Sequence, residues 1–150
     1  LSQLWDDCGF GAITGEDDVF TLHGAKSQRL DPHARPYVRG ADLRNYQAQS
    51  RLTVIWPYSG GKGHWTPTMP SGALSRLWSM RTVLLHRKRF GVPIHQLSDL
   101  AWFEYREPYF ARLDANALIA FAEVATHNHF AFALGGEVFK QTAPVIKLPE

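Results

Sequence analysis

Short apolar segments that end at proline, glycine or polar residues constrain the fold of this chain more than any other feature. Residues 52–56 are apolar and rich in β-branched side chains and end at Pro57, and residues 118–124 form a second apolar segment. Segments of about four to eight residues with such boundaries predict β-strands rather than helices. The same pattern predicts strands at residues 19–22, 102–106, 130–134, 137–139 and 145–148, with a two-glycine hairpin turn at Gly135 and Gly136.

One helix is expected in the middle of the chain. Ser71 can cap a helix that runs to about Arg89, where a glycine and a proline follow within four residues. At about 100° per residue its apolar side chains form one broad arc, which is typical of a helix packed on a core. The expected fold is therefore α+β, with a mostly antiparallel or mixed β-sheet and one dominant central helix, in a single domain of residues 1–150.

Two segments are expected to be irregular. Residues 30–39 contain two prolines and no periodicity, and residues 59–72 contain four glycines and two prolines. Long irregular segments in compact domains often carry function.

The composition limits the class of protein. Hydrophobic residues make up 45% of the chain and charged residues 20%, which is typical of a globular domain and not of a disordered one. Cys8 is the single cysteine, so no internal disulfide can form, which favours a reducing compartment. No apolar run approaches the roughly 20 residues that a membrane span needs. We expect a cytoplasmic protein without a membrane partner.

Positive charge is concentrated in the middle of the chain. Residues 43–98 contain no Asp or Glu and eight Lys or Arg, whereas the segments before and after each contain seven acids and four bases. A polyanion is the natural partner of such an acid-free block. The alternative, which the sequence leaves open, is that these cations pair with the acids of the flanking segments.

The sequence contains no recognisable catalytic motif. His127 and His129 are two residues apart and could begin a metal site, but no nearby carboxylate or thiol completes it. Asp17 and Asp18 are adjacent, which favours two solvated carboxylates over a general acid and base. We therefore expect neither catalytic nor metal-binding residues in this chain.

The C-terminal residues 120–149 resemble the C-terminal part of large adenine-specific DNA methyltransferases, from phage-defence systems of the BREX or phage-growth-limitation type and from related type IIG or IIS restriction-modification enzymes. Upstream, residues 15–20, 38–43, 55–58, 84–87 and 102–105 follow in the order expected of the target-recognition domain of that family, a TaqI-like specificity domain. The resemblance implies that the chain recognises double-stranded DNA and holds the target adenine opposite a catalytic domain.

The catalytic half of that family is absent from this chain. An Asn-Pro-Pro-Tyr type motif occurs nowhere in the sequence, and residues 9–15 lack the pattern of an S-adenosylmethionine loop. We expect the chain to be a domain of a larger methyltransferase, with no cofactor of its own. S-adenosylmethionine and the methyl-transfer chemistry would belong to the catalytic domain of the same polypeptide.

The resemblance and the residue types together suggest which side chains contact DNA. Phosphate contacts, which set the register on the duplex, are expected from Arg51, Arg76, Arg87, Lys88 and Arg89. Base edges are read by side chains with suitable donors and acceptors, and Arg or Lys suits guanine while Asn suits adenine. The candidates for base readout are Arg39, Lys62, His64, Arg106, His127 and Asn128.

Two other functions are compatible with the sequence. The chain could be a protein-interaction domain that docks other subunits of a defence system, with the basic block facing an acidic protein. It could also be a small metal-dependent nuclease that uses His127, His129 and Glu123. Salt-sensitive retention on duplex DNA would separate the first alternative from DNA recognition, and metal-dependent cleavage of plasmid DNA would support the second.

Overall fold

The computed structural model describes residues 4–23 and 33–149, so the first part of the expected loop at residues 30–39 lies outside the described residues. The strands are β1 Asp7–Gly9, β2 Ala12–Ile13, β3 Thr21–Leu22, β4 Ala34–Val38, β5 Leu43–Arg44, β6 Gln47–Ala48, β7 Leu52–Ile55, β8 Tyr58–Gly61, β9 His64–Pro67, β10 Lys88–Arg89, β11 Val92–Pro93, β12 Glu107–Pro108, β13 Leu118–Phe121, β14 Phe130–Ala133, β15 Val138–Phe139 and β16 Val145–Lys147. The helices are α1 Asp17–Phe20, α2 Leu74–Ser79, α3 Arg81–His86 and α4 Phe110–Leu113.

Two four-stranded sheets organise the described part of the chain. The first has the order β1-β16-β13-β14 and is antiparallel throughout. The second has the order β15-β4-β7-β3, in which β15 and β4 are parallel and the other pairs are antiparallel. The remaining strands form two-stranded pairs, β2 with β12 and the hairpins β5–β6, β8–β9 and β10–β11. The α+β class with mostly antiparallel sheets is confirmed.

Two buried clusters hold these elements together. The larger cluster surrounds the second sheet and contains interlocking aromatic rings, among them Trp56, Tyr58 and Tyr105, whose ring centres lie 4.9–5.9 Å apart. The smaller cluster lies under the first sheet and includes Leu118 of β13 and Phe139 of β15, both fully buried. Because β15 contributes to both clusters through Val138 and Phe139, it joins the two sheets.

The hairpin predicted at Gly135 and Gly136 does not form. β14 pairs with β13, whereas β15 leaves the first sheet and pairs with β4 of the second. Both glycines have positive φ angles, of 80° and 89°, which allows the chain to turn away from β14. Burial of Val138 and Phe139 between the sheets therefore outweighs the local preference for a two-glycine hairpin.

Four further sequence predictions differ from the structure. Val19 and Phe20 belong to helix α1, so the strand predicted at residues 19–22 is reduced to Thr21–Leu22. Residues 34–38 form the interior strand β4 instead of a loop; β15 reaches only its last two residues, so Pro36 lies where the strand is an edge. Residues 58–67 form the hairpin β8–β9 rather than irregular chain. Residues 102–106 form a turn, in which the Glu104 carboxylate accepts a hydrogen bond from the backbone N–H of Ala101, and the strand begins only at Glu107.

The helix predicted from Ser71 to about Arg89 is divided. A 3-10 turn at Ser71–Ala73 leads into α2, and Met80 separates α2 from α3. The Ser79 hydroxyl donates to the carbonyl oxygen of Arg76 at 2.8 Å, an alternative to regular helical bonding of the kind that weakens helix interiors. The helical region ends at His86 because Arg87 adopts an extended conformation.

Candidate nucleic-acid interface

The turn that follows β4 is fixed by one carboxylate. Asp42 accepts hydrogen bonds from the backbone N–H, Nε and Nη2 of Arg39, at 2.9, 3.0 and 2.9 Å. Burial opposes ionisation of Asp42, but these bonds and the charge of Arg39 outweigh it and lower its pKa below the ordinary value. Arg39 is thereby held in one orientation at the surface.

This turn packs closely on the chain after β15. The backbone N–H of Gly40 donates to the Thr142 hydroxyl, and a Cβ at position 40 would lie 2.3 Å from the Thr142 carbonyl oxygen. Only glycine fits that contact without movement of the backbone. Two segments about 100 residues apart in the sequence therefore form one continuous surface.

A shallow groove runs along this surface, and we call it the basic groove. It consists of two adjoining depressions that share Arg39, Ala41 and Arg44. Its remaining lining residues are Gly40, Asp42, Gln49, Arg51, Val124, Lys140 and Thr142. Four cations and one carboxylate thus line it, which favours an anionic ligand.

Two of the four cations keep an uncompensated charge. Arg44 donates to the backbone carbonyl oxygens of Gly40 and Leu43, and Arg51 is exposed; within residues 4–23 and 33–149 neither forms an ion pair. Lys140 lies 2.5 Å from the Asp17 carboxylate. The positive potential of the groove therefore comes chiefly from Arg44 and Arg51.

An exposed polar loop forms one edge of the basic groove. Two backbone hydrogen bonds hold the ends of this loop, residues 122–129. The N–H of Ala122 donates to the carbonyl oxygen of His129, and the N–H of Glu123 donates to the carbonyl oxygen of Thr142. Val124 in this loop is 91% exposed and lines the groove. His127 and Asn128, two of the predicted base-reading residues, are exposed on the same loop.

A second depression adjoins the basic groove at Lys140. Arg106 lines it together with Glu16, Asp17 and Asp18, so the charge there is mixed. Arg106 is half-buried and its Nε lies 3.1 Å from the carboxylate of the adjacent Glu107. The fold thus brings Arg39, Arg51 and Arg106 of the predicted site to adjoining depressions, while His127 and Asn128 lie on the loop whose Val124 lines the groove.

The burial of Arg87 contradicts the prediction that this side chain contacts a phosphate. Its side chain is buried, and its guanidinium donates to the carbonyl oxygens of Leu84, Thr14, Trp102 and Glu104. Burial lowers the pKa of Arg87 to about 10. Four of its five N–H groups are used inside the protein and the side chain is buried, so Arg87 is not placed to contact DNA.

Arg76 also has a structural role. Its guanidinium donates to the carbonyl oxygens of Asp18, Val19 and Thr21 and thereby connects α2 to the end of α1. These bonds occupy Nε and Nη2 and hold the side chain half-buried. The carbonyls, rather than a phosphate, explain the placement of this cation.

The acid-free block of residues 43–98 therefore does not form one cationic surface. Lys88 and Arg89 lie in the β10–β11 hairpin, outside the residues that line the basic groove, and Arg89 pairs with Asp99 at 3.0 Å. Lys88 is exposed. Arg89 of this block thus pairs with an acid of the C-terminal segment, which is the alternative that the sequence left open.

Lys62 and His64 lie on the β8–β9 hairpin. Lys62 donates to the side-chain oxygen of Asn116, and the backbone N–H of Gly63 between them donates to Asp114 at 2.7 Å. The same carboxylate accepts from Trp65 Nε1 at 2.7 Å. The hairpin is thereby fixed to the end of α4, with the His64 ring exposed and outside the lining of the basic groove.

Comparison with known proteins identifies the relatives of this chain. No protein-family model matches it. In an alignment of 150 residues, 31% are identical to the adenine-specific methyltransferase PglX of Streptomyces coelicolor. The chain is homologous to part of an adenine-specific methyltransferase. The match covers 95% of this chain and 12% of PglX, so the chain spans about one eighth of its relative, and the family relationship expected from the sequence is confirmed.

The fold also occurs in a solved restriction-modification enzyme. The Type IIL restriction-modification enzyme MmeI, determined in complex with DNA, superimposes with a TM-score of 0.63. The match covers 96% of this chain and 19% of the MmeI chain, at 12% identity. The superposition shows that the two chains share a fold.

Two residues of the basic groove, Arg44 and Lys140, were not predicted from the sequence as binding residues. Arg44 belongs to the acid-free block but stands in no motif, and Lys140 lies in the segment that resembles the methyltransferases. Arg44 could have been predicted as a binding residue, because it is a cation close to a glycine-containing turn. Lys140 gave none, because its place beside Arg39 depends on the pairing of β15 with β4.

Residues 4–23 and 33–149 contain neither a metal-ligand cluster nor a membrane-spanning helix. No group of three or more His, Cys, Asp or Glu side chains lies close enough together to hold a metal ion. The rings of His127 and His129 are nearly parallel, with centres 6.5 Å apart. No helix in this part of the chain has the length and apolar character of a membrane span.

Proposed function

We propose that this chain is the double-stranded DNA target-recognition domain of an adenine-N6 DNA methyltransferase in a restriction-modification or phage-defence system. It would position the target adenine for a catalytic domain of the same polypeptide. The observation that carries the proposal is the basic groove, with two uncompensated arginines beside an exposed loop of base-reading residue types. Homology to PglX and the fold shared with MmeI support the same assignment.

The groove and its edge suggest a division of roles. Arg44, Arg51 and Lys140 are placed to contact phosphates, which provide affinity and register without sequence information. Asn128 suits the adenine edge and Arg39, held in one orientation by Asp42, suits guanine N7 and O6. Each good bidentate pair contributes about 1–3 kcal/mol of discrimination between bases.

The other residues that were predicted from the sequence to contact DNA have smaller roles in this proposal. Arg106 and His127 would read bases next to the groove. Lys88 and Arg89, together with Lys62 and His64, would reach DNA only if the duplex extends beyond the groove. S-adenosylmethionine would be bound by the catalytic domain of such an enzyme, and this chain would not transfer methyl groups by itself.

The proposal is tested with a library of random 30-base-pair duplexes passed over the immobilised chain at low salt. We expect retained duplexes to share a common sequence when they are read out. Retention without enrichment would show DNA binding and refute the recognition role. No salt-sensitive retention would refute DNA binding altogether.

The alternative of a protein-docking domain is favoured by one observation. Of the thirteen large apolar side chains that are exposed in the described part of the chain, four lie on or between α2 and α3. They are Leu74, Trp78, Met80 and Val83, which are 36–59% exposed. Retention of a partner subunit that is lost in Trp78→Ser, together with no retention of DNA, would favour this alternative.

A further inference from the structure

Two histidines face each other at the base of the β10–β11 hairpin. The register pairs Lys88 with Pro93 and Arg89 with Val92, and its continuation by two residues places His86 opposite His95. A hydrogen bond from the N–H of Ile94 to the carbonyl oxygen of Arg87 extends the pairing in this direction. The two imidazole ring centres are 5.2 Å apart, and both side chains are exposed.

Hydrogen bonds define which nitrogen of each ring is available. His86 Nδ1 lies 2.7 Å from the carbonyl oxygen of Thr82, and His95 Nδ1 lies 3.2 Å from that of Leu85. A carbonyl oxygen only accepts, so each ring must carry its proton on Nδ1 and donate it. The Nε2 lone pair of each neutral ring is therefore the one that would bind a metal ion, and that of His95 accepts a hydrogen bond from the Gln96 side-chain amide at 3.5 Å.

We propose that His86 and His95 form a two-histidine site for a divalent transition-metal ion such as Zn²⁺. With Zn–N bonds of about 2.0–2.1 Å and angles near 109°, two imidazole ring centres bound to one tetrahedral Zn²⁺ are roughly 5 Å apart. The observed 5.2 Å matches that spacing. A backbone carbonyl on the second nitrogen is also the usual partner of a metal-bound imidazole, because it fixes the tautomer and the ring orientation.

The donor set favours late transition metals over Mg²⁺ or Ca²⁺. Neutral imidazole is a good ligand for Zn²⁺, Cu²⁺ and Ni²⁺, whereas the hard cations prefer oxygen. A bound ion would replace the hydrogen bond from the Gln96 amide to His95 Nε2. Water completes the coordination, as in other open zinc sites. The bound ion would connect the end of α3 to the turn at Ile94–Gln96 and brace the hairpin between them.

The site does not depend on the proposed function, and it is tested with the tag-free chain. We expect isothermal titration with ZnCl₂ at pH 7.5 to show one equivalent of Zn²⁺. His86→Ala and His95→Ala should each weaken binding by about tenfold or more, since loss of a supporting partner alone typically costs 10–100-fold. Zinc should also raise the melting temperature of the wild-type chain, because it binds the folded state.

His127→Ala is the matched control. Its ring also lies beside a second histidine, but the centres are 6.5 Å apart and no hydrogen bond to either ring is found among the described residues. We expect this variant to bind Zn²⁺ like the wild type. Unchanged affinity in His86→Ala, or a loss confined to His127→Ala, would overturn the proposal.

A measurement on the unaltered chain guards against a variant that fails to fold. In imidazole ¹⁵N spectra, the Nε2 signals of His86 and His95 should shift together on addition of one equivalent of Zn²⁺, while their Nδ1 signals keep the protonated form. Absence of a shift at both residues would refute the site regardless of the behaviour of the variants.

Discussion

Removal of Arg44 and Arg51 should weaken DNA binding and its dependence on salt by a calculable amount. If Arg44, Arg51 and Lys140 of the basic groove each neutralise one phosphate, log K should fall with log salt at a slope of about −2.7. The double variant Arg44→Ala/Arg51→Ala keeps one of these contacts, so its slope should be about −0.9. We assume that the electrostatic contribution vanishes near 1 M salt. The slope difference of about 1.8 then corresponds to a roughly 30-fold loss of affinity at about 0.15 M salt.

Fluorescence anisotropy with a labelled duplex at several salt concentrations measures both quantities. Lys88→Ala is a suitable control, because Lys88 is an exposed cation of the acid-free block outside the lining of the groove. It should leave the slope within experimental error of the wild type. Circular dichroism should show that all variants keep the fold, since Arg44 and Arg51 are both exposed.

The opposite pattern would refute the reasoning. If Lys88→Ala lowers the slope and the double variant does not, the duplex lies on the β10–β11 hairpin and not in the groove. If the wild-type slope is steep and neither variant changes it, the phosphate contacts are made by cations outside both the groove and the hairpin.

Three further predictions concern the framework of this surface. Arg87→Met should destabilise the chain by about 3–5 kcal/mol in urea unfolding, because it removes a buried cation and leaves buried carbonyls without donors; a change below 1 kcal/mol would contradict that role. Gly40→Ala should cost about 1–3 kcal/mol and reduce DNA affinity, since the new Cβ meets the backbone of Thr142; unchanged affinity would show that this junction is dispensable. Asp17→Asn should lose most stability near neutral pH, and its deficit relative to the wild type should shrink as pH falls below 3.8; a deficit independent of pH would contradict an ionised Asp17.

The pH prediction follows from the surroundings of Asp17. Burial raises its pKa, but hydrogen bonds from Lys140, Thr14 and Tyr37 outweigh burial and lower the pKa below its ordinary value. A carboxyl with a lowered pKa stabilises the folded state above the pKa of the unfolded chain, and this stabilisation is lost as pH falls through the folded value. Urea midpoints of both proteins between pH 3 and pH 7 measure the difference.

The sequence by itself predicted the strands whose apolar residues are contiguous. The segments that became β7, β13, β14 and β16 were all expected, because an apolar run between turn-forming residues can bury itself only as a short strand. The class of relatives was also determined by sequence, through residues 120–149.

Tertiary structure decided how those strands were paired and which cations were free. Nothing local indicates that β15 pairs with β4 across a hundred residues, yet this pairing places Lys140 and Thr142 beside Arg39 and creates the groove. Likewise, Arg87 is one of eight cations in the acid-free block of residues 43–98, and only the carbonyls that converge on it explain its burial. Charge and hydropathy are properties of single residues, whereas exposure and proximity depend on the packing of distant segments.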